Sequence, residues 1–438
     1  MPMRWEGRSK MIRILRYGEV PNSEIFARAD IKTGVEETVA EIIADVRKNG
    51  DAALYRDAEK FDKAKLSSLE VTPEEIDEAV SEVGPEFLEV LERSAANIRK
   101  FHSMQVRQGF RIEDNGRIIG QKITPVDKAG LYVPGGKAPL SSTVLMDAIP
   151  ARIAGVPEVI MVTAPERSGR INPAVLAAAR AAGVTRIFKC GGAQAIAALA
   201  YGTESIPKVD KIVGPGGALV AEAKRQVFGT VSIDMIAGPS EILCVADSRS
   251  SAKYIAADML SQAEHDTNAS AVLVTDSAEL AKSVQAEIER QIKLLPREEI
   301  ARASIDDNGK IIVADSIDAA IDIANEIAPE HLELCVDEPF GYLDRIKHAG
   351  SVFLGRNCPE AVGDYYAGPN HTLPTSGSAK FSSPLSVDDF IKKTQFTYYT
   401  KDALAAAAKD IAIFAEKEGL RAHARSALIR TEDMEQIG

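Results

Sequence analysis

Val159-Ile-Met-Val-Thr163, then Pro173-Ala-Val-Leu-Ala-Ala-Ala-Arg-Ala-Ala182, then Arg186-Ile-Phe-Lys-Cys190 is the stretch that decides the fold. Two short apolar runs of strand character bracket an alanine-rich segment of helical length, which is the pattern of a parallel βαβ unit. Moving outward, a helix over Gln194–Tyr201 and a strand at Lys211–Val213 continue the series. A second series follows at Ile242–Ala246, Ala271–Thr275, Ile311–Ala314, Leu332–Val336 and Ser351–Leu354, again with helices between. The reading is α/β, with two doubly wound Rossmann-like domains meeting near Met235–Ser240. Upstream of Ile118 the chain is helical in pattern and heavily charged, as in Gly34–Asn49 and Pro73–Phe101. Beyond Pro384 a polar tail, Ser386–Gly438, reads as helical and carries the run Ala403–Ala408. Such a tail has little apolar surface of its own, so it is expected to pack on another domain or subunit.

At 438 residues the chain exceeds one ordinary core, and 45% hydrophobic with 26% charged residues is the balance of a globular protein, not of a disordered or coiled-coil one. No run approaches the roughly 18 apolar residues of a membrane helix, and Met1 to Lys10 lacks a signal core, so a cytoplasmic location is expected. Residues 1–10 read as an extension ahead of Met11. A net charge of −12 argues against a nucleic-acid platform. The four cysteines, Cys190, Cys244, Cys335 and Cys358, form no CxxC pair, and the first two close apolar runs as reduced core residues would.

Two glycine-rich turns, Val133-Pro-Gly-Gly136 and Gly214-Pro-Gly-Gly217, are able to aim backbone N–H groups at a phosphate. Neither matches the dinucleotide fingerprint, and a tight strand-to-helix turn accounts for either equally well. The six histidines say more. Gln262 and His265 lie three apart at a helix end and share one face. Glu330-His331 follows Ala328-Pro329 at the start of an apolar strand, which places two bases of different strength side by side at a sheet end. Gly363-Asp-Tyr-Tyr-Ala-Gly-Pro-Asn-His371 is a polar loop suited to a site, and His423 follows Glu418 in the tail. Gln262, His265, Asp364 and His423 make a mixed nitrogen and oxygen set that suits zinc or a neighbouring divalent ion, not a thiolate site. His102 and His348 lie among charged residues and are assigned no chemistry.

On these segments the chain resembles the histidinol dehydrogenase family. The resemblance is carried by Gly130-Leu-Tyr-Val-Pro-Gly-Gly136, Gly191-Gly-Ala-Gln-Ala-Ile-Ala-Ala-Leu199 and Pro207-Lys-Val-Asp-Lys-Ile-Val-Gly-Pro-Gly216. It continues through Asp234-Met-Ile-Ala-Gly-Pro-Ser-Glu241, Ser261-Gln-Ala-Glu-His265 and Ala328-Pro-Glu-His331. Gly363-Asp364 through Asn370-His-Thr-Leu-Pro-Thr375 and Glu418-Gly-Leu-Arg-Ala-His423 complete it. So many motifs in one order are far more specific than any one of them.

The resemblance implies a zinc- and NAD-dependent oxidation of L-histidinol through L-histidinaldehyde to L-histidine. Gln262, His265, Asp364 and His423 would hold one zinc ion per subunit, and Glu330 and His331 would be the catalytic bases. Ser240, Gln262, His265, Glu330, Asp364, His371, Glu418 and His423 would contact the amino alcohol, and Tyr132, Gln194 and Gly217 would line the NAD site. Family members are homodimers whose tail reaches the partner's site. The division it implies is an N-terminal extension over 1–27 and a first α/β domain over 28–131 with 240–385, carrying metal and bases. An NAD-side domain over 132–239 and a helical tail over 386–438 complete it. One departure stands out: Gly217 occupies a position where the family pattern has Asn. Three rival readings remain open from the residues: a related zinc and NAD dehydrogenase of another polar alcohol, a zinc hydrolase with Glu330 activating water, and a two-domain binding protein.

Overall fold

The computed structural model describes residues 11–28, 34–135 and 139–435, so the extension at 1–10 and Gly136 of the first glycine turn lie outside the described residues. The chain divides into two compact units, Met1–Gln105 with Asp127–Phe390, and Val106–Val126 with Ile391–Gly438.

The first unit is built on two parallel sheets. One has the strand order Arg186–Lys189, Glu158–Thr163, Lys128–Val133, Lys211–Val213, Ser232–Ile233. The chain enters at the central strand Lys128–Val133, steps outward twice through helices Ser141–Ala154 and Pro173–Ala182, then returns to fill the other side. The direction of winding reverses between Lys128–Val133 and Lys211–Val213, and a doubly wound sheet opens a crevice at the carboxyl ends of such strands. Both glycine turns leave the sheet there. Gly214 has φ +113°, and a Cβ on it would lie 2.1 Å from the Tyr132 carbonyl oxygen, so only glycine fits. A buried ion pair between Lys224 and Asp234 holds the turn: Lys224 Nζ donates to the Gly214 carbonyl at 3.0 Å, and Gly214 N–H donates to Asp234 at 2.8 Å.

The other sheet runs Arg13–Arg16, Lys310–Val313, Ser270–Thr275, Glu241–Ala246, His331–Cys335, Ser351–Leu354. Its strands are apolar on both faces because helices cover both. Ile242 and Cys244 share a cluster with Ile255, Met259 and Leu260 of helix Ala252–Ala263. Leu243 and Val245, one residue out of phase, pack instead with Ile321 and Ala324 of helix Ile317–Ile327. The two-residue period of a strand divides the side chains between the two layers.

Four sequence expectations change. Residues 11–27 are not an extension: Arg13–Arg16 is a strand in register with Lys310–Val313, and Ile12, Leu15 and Ile25 are buried. The N-terminal helices do not belong with the metal-side sheet. Val39, Ile43, Val46 and Leu54 pack with Phe188, Ile196 and Leu199, and Leu69 and Val71 hydrogen-bond along Arg186–Lys189. Lys128–Val133 is the central strand of the five-stranded sheet, so that half begins before residue 132. The tail is not wholly helical, since Ile391–Tyr399 is a nine-residue strand. Its β-branched and aromatic residues, Thr394, Phe396, Thr397, Tyr398 and Tyr399, suit a pleated surface better than a helix.

In the second unit Ile391–Tyr399 pairs antiparallel with Arg117–Pro125, which pairs with Phe110–Asp114. Helices Lys401–Lys417 and Arg421–Glu435 follow, joined through Ala412, Ala415 and Ala424.

Candidate active site

The site gathers at the amino ends of the strands Glu241–Ala246 and His331–Cys335. Helix Ile317–Ile327 stops at Ala328, whose φ of +50° is unusual for a residue with a side chain, and Pro329 prevents the helix from resuming. The next two residues, Glu330 and His331, therefore arrive at the sheet edge in fixed orientation. The Glu241 backbone holds both: its N–H donates to Glu330 Oε2 at 2.8 Å, and its carbonyl lies 2.9 Å from His331 Nδ1. A carbonyl only accepts, so Nδ1 carries the proton and Nε2 is the free nitrogen of the neutral ring. That Nε2 is buried, makes no hydrogen bond and lies 3.5 Å from Asp364 Oδ1.

Around this nitrogen stand residues from three other elements. Gln262 is buried at the end of helix Ala252–Ala263, and its Oε1 has no hydrogen-bond partner. His265 lies just past that helix, close enough to Asp364 and His331 for each to influence its charge. Helix Glu360–Tyr365 supplies Glu360 and Asp364, one turn apart. Ligand atoms of His331, Glu360 and Asp364 lie within 4.8 Å of one another. His371 donates from Nδ1 to the Asp364 carbonyl at 3.0 Å, and its Nε2 lies 3.2 Å from the Thr143 hydroxyl. A cavity of about 150 Å³ is lined by Asp364, His371, Phe353 and Cys358.

The electrostatics follow from burial. Desolvation raises the Glu330 carboxyl to about 8 in spite of the neighbouring imidazole. Burial opposes a charge on His331, yet the carboxyl groups of Glu330, Glu360 and Asp364 outweigh it and raise the imidazole to about 10. Burial pushes Asp364 up too, but the adjacent imidazole of His331 and those of His371 and His265 leave it below the ordinary range. His371 is lowered by burial and stays neutral. A divalent cation among these groups would oppose the imidazolium and free His331 Nε2 as a base.

The donor chemistry fits such a cation. An orphaned amide oxygen, an imidazole and a carboxylate are a hard-to-borderline set, and burying an unpaired amide oxygen is costly unless something binds it. Of the expected ligands, Asp364 stands in the tight group with His331 and Glu360, a group that does not include His265. Glu418 and His423 belong to the second unit, where both are exposed. Ser240 immediately precedes Glu241, and its carbonyl accepts from Ser270 N–H at 3.0 Å.

The residues expected to line an NAD site sit at the carboxyl edge of the five-stranded sheet. Tyr132 is buried, with its hydroxyl accepting Gly192 N–H at 3.1 Å, and Gln194 folds back over Gly192. Gly191 and Gly217 cap the helices Gly192–Tyr201 and Ala218–Val227 without any side-chain hydrogen bond. Those helix N-termini offer backbone N–H groups to a phosphate. Gly217 has φ −66°, and a Cβ there meets nothing within 4 Å, so the fold tolerates a side chain at this position.

Sequence reasoning missed Glu360, Glu333, Thr143 and the Glu241 backbone. Two of these carried a signal. Glu360 and Asp364 are four apart and share a helix face. Glu333 is a charged residue inside the buried run Leu332-Glu333-Leu334, on the same strand face as His331. The thiols of Cys190, Cys244 and Cys335 are buried and raised by desolvation, as is that of the partly buried Cys358, the opposite of what a nucleophilic thiolate needs. A second cavity, about 410 Å³, is lined by Arg13, Arg28 and Lys310, whose charged ends engage Glu24, Glu241 and the carbonyls of Ile25 and Ala27.

Comparison with known proteins agrees with this geometry. The family described as histidinol dehydrogenase matches residues 27–431. A histidinol dehydrogenase of Bacillus cereus is 55% identical over 406 residues, 92% of this chain and 94% of the relative. One from Clostridium acetobutylicum is 51% identical over 426 residues, covering 96% and 99%. The crystal structure of histidinol dehydrogenase from Elizabethkingia anophelis superposes with a TM-score of 0.92 at 39% identity, covering 97% of this chain and 99% of the other. The glycine turns, the Glu330–His331 edge and this nearly full-length likeness converge, and the chain belongs to the histidinol dehydrogenase family.

Proposed function

We propose that Glu330 and His331 divide the proton transfers of a four-electron oxidation, L-histidinol through L-histidinaldehyde to L-histidine. Family membership makes the chain an enzyme of histidine biosynthesis that oxidises histidinol. The observation that carries the division of labour is the edge itself, where one backbone residue, Glu241, holds the carboxyl and the imidazole in different settings.

When bound, NAD accepts the hydrides, and a zinc ion would anchor and orient the substrate's imidazole and amine. Gln262, His265 and Asp364 would hold that ion, and the exposed Glu418 and His423 of the tail would complete the metal and substrate contacts in a homodimer. Gly217, Gln194 and Tyr132, with the glycine turns, would receive the dinucleotide at the switch point. His331, fixed through Nδ1, takes the alcohol proton on Nε2. Glu330, buried and raised to about 8, then takes a proton from the water that adds to the aldehyde and releases it readily near neutral pH. Ser240 and His371 would contact the amino alcohol, with Thr143 and the Asp364 carbonyl keeping the His371 ring in one orientation.

The test is the NADH yield from limiting L-histidinol with excess NAD and zinc-loaded protein. Two NADH per histidinol support the reading, and a yield of one, or none, contradicts it.

A further inference from the structure

We infer that Glu333 is a positioning residue that sets the spacing between the base His331 and the expected ligand Asp364. The inference rests on the zinc reading above and deepens it. Glu333 lies two residues from His331 on the same face of strand His331–Cys335, and it is 1% exposed. A carboxyl group is costly to bury there unless its oxygens are used. Both are used: Oε1 accepts the backbone N–H of Glu360 at 2.8 Å, and Oε2 accepts the Cys244 thiol at 3.4 Å.

Glu360 opens the six-residue helix Glu360–Tyr365, which is too short to be stable alone. The residue before it is Pro359, whose side chain offers no acceptor, and the helix has no side-chain cap of its own. The strand supplies what the helix lacks. One buried carboxyl fastens the backbone that carries Glu360 and Asp364 to the strand that carries His331. The spacing this tie sets is the one at the site, where His331 Nε2 lies 3.5 Å from Asp364 Oδ1. The far end of the helix is fastened separately from helix Pro85–Ser103. Ser94 Oγ donates to the Tyr365 carbonyl at 2.6 Å, and Asn97 Nδ2 donates to the Tyr366 carbonyl at 2.8 Å. Loss of the Glu333 acceptor should therefore let the Glu360 end shift while the helix stays attached.

The experiment measures zinc affinity of the full-length, metal-stripped protein by competition with a chromogenic chelator, with NADH binding and thermal melting as controls. Glu333→Met keeps the volume and removes the acceptor, so zinc binding should weaken about 10- to 100-fold while NADH affinity is unchanged. Glu333→Gln keeps a carbonyl that can accept the Glu360 N–H, so its zinc affinity should stay within about threefold of the parent. A lower melting temperature for Glu333→Met with parent-like zinc affinity would make the residue structural only and overturn the inference. Equal losses of zinc affinity in Glu333→Met and Glu333→Gln would make the effect one of charge and overturn it as well. Should Glu333→Met not fold, Glu333→Asp decides: it withdraws the acceptor by one methylene, and parent-like zinc affinity overturns the inference. Asp364→Asn and His265→Ala separate the two levels. If they lose zinc while Glu333→Met does not, only the positioning role fails; if they too bind as the parent does, the zinc reading fails with it.

Discussion

The two sheets of the first unit present contrasting edges. At the amino edge of the six-stranded sheet, the site is made of titratable side chains: Glu330 and His331, held by the Glu241 backbone, and Glu360 and Asp364 from the helix Glu360–Tyr365. At the carboxyl edge of the five-stranded sheet, the candidate cofactor crevice is made almost wholly of backbone, Gly135, Gly191 and Gly214–Gly217. One edge does its work with functional groups, so each is hard to replace. The other works with shape and peptide N–H groups, so what matters there is the space a side chain would take.

This contrast can be broken by substitution. The largest effects should fall on the side-chain edge. His331→Asn should lower kcat by about 10²- to 10⁴-fold, the usual weight of a positioned base, with the KM for NAD nearly unchanged. A parallel rise in that KM would mean that the two edges are not separate. Next comes the backbone edge at its tightest point. Gly214→Ala forces a Cβ against the Tyr132 carbonyl at φ +113°, and a strain of about 1–3 kcal/mol should lower the melting temperature and raise the KM for NAD. Gly217→Asn is gentler and opposite in sign. The position is open, and one added neutral hydrogen bond of about 0.5–1.5 kcal/mol should improve the KM for NAD roughly two- to twelvefold, read from initial rates.

The smallest effect concerns stability. Asp62, on the five-stranded-sheet side, has a buried, unpartnered Oδ2, and burial with Asp57 raises its carboxyl to about 6. Its folded pKa lies above its unfolded one, so the folded state holds the proton more tightly. The stability this group contributes is present below about pH 4 and is lost as pH rises towards 6. Asp62→Asn should remove that slope and leave the protein about 1 kcal/mol more stable at pH 7, after allowance for the group's partial exposure. Melting curves from pH 4 to 7 that stay parallel for parent and variant would refute it.

Much of the α/β architecture was legible because parallel strands covered on both faces are continuous apolar runs, as at Val159–Thr163 and Ile242–Ala246. What was not legible was which sheet a helix covers. The stripe Val39, Ile43, Val46 announces a buried face and says nothing of its partner, which is the five-stranded sheet's side of the unit. Arg13–Arg16 escaped notice because three of its four residues are exposed at an edge. Ile391–Tyr399 was masked by its lysines.

The site divides in the same way. Gln262, His265, Glu330, His331, Asp364 and His371 were visible as unusual residues at element ends, and the fold sets His331 beside Glu330 and Asp364 and bonds His371 to the Asp364 carbonyl. Thr143 and the Glu241 peptide were not visible, since a threonine in a helix and a backbone group look like any other. Glu360 was legible in principle, four residues before Asp364, but nothing in the sequence marks that second carboxylate as buried.

The most direct test of the divided roles at the Glu330–His331 edge uses L-histidinaldehyde as substrate for Glu330→Gln. Oxidation to L-histidine with NAD needs the water that Glu330 activates, whereas reduction to L-histidinol with NADH does not. The variant should lose at least about 10²-fold in the oxidative half while keeping the reductive half within about tenfold of the parent. Equal losses in both directions would contradict the account.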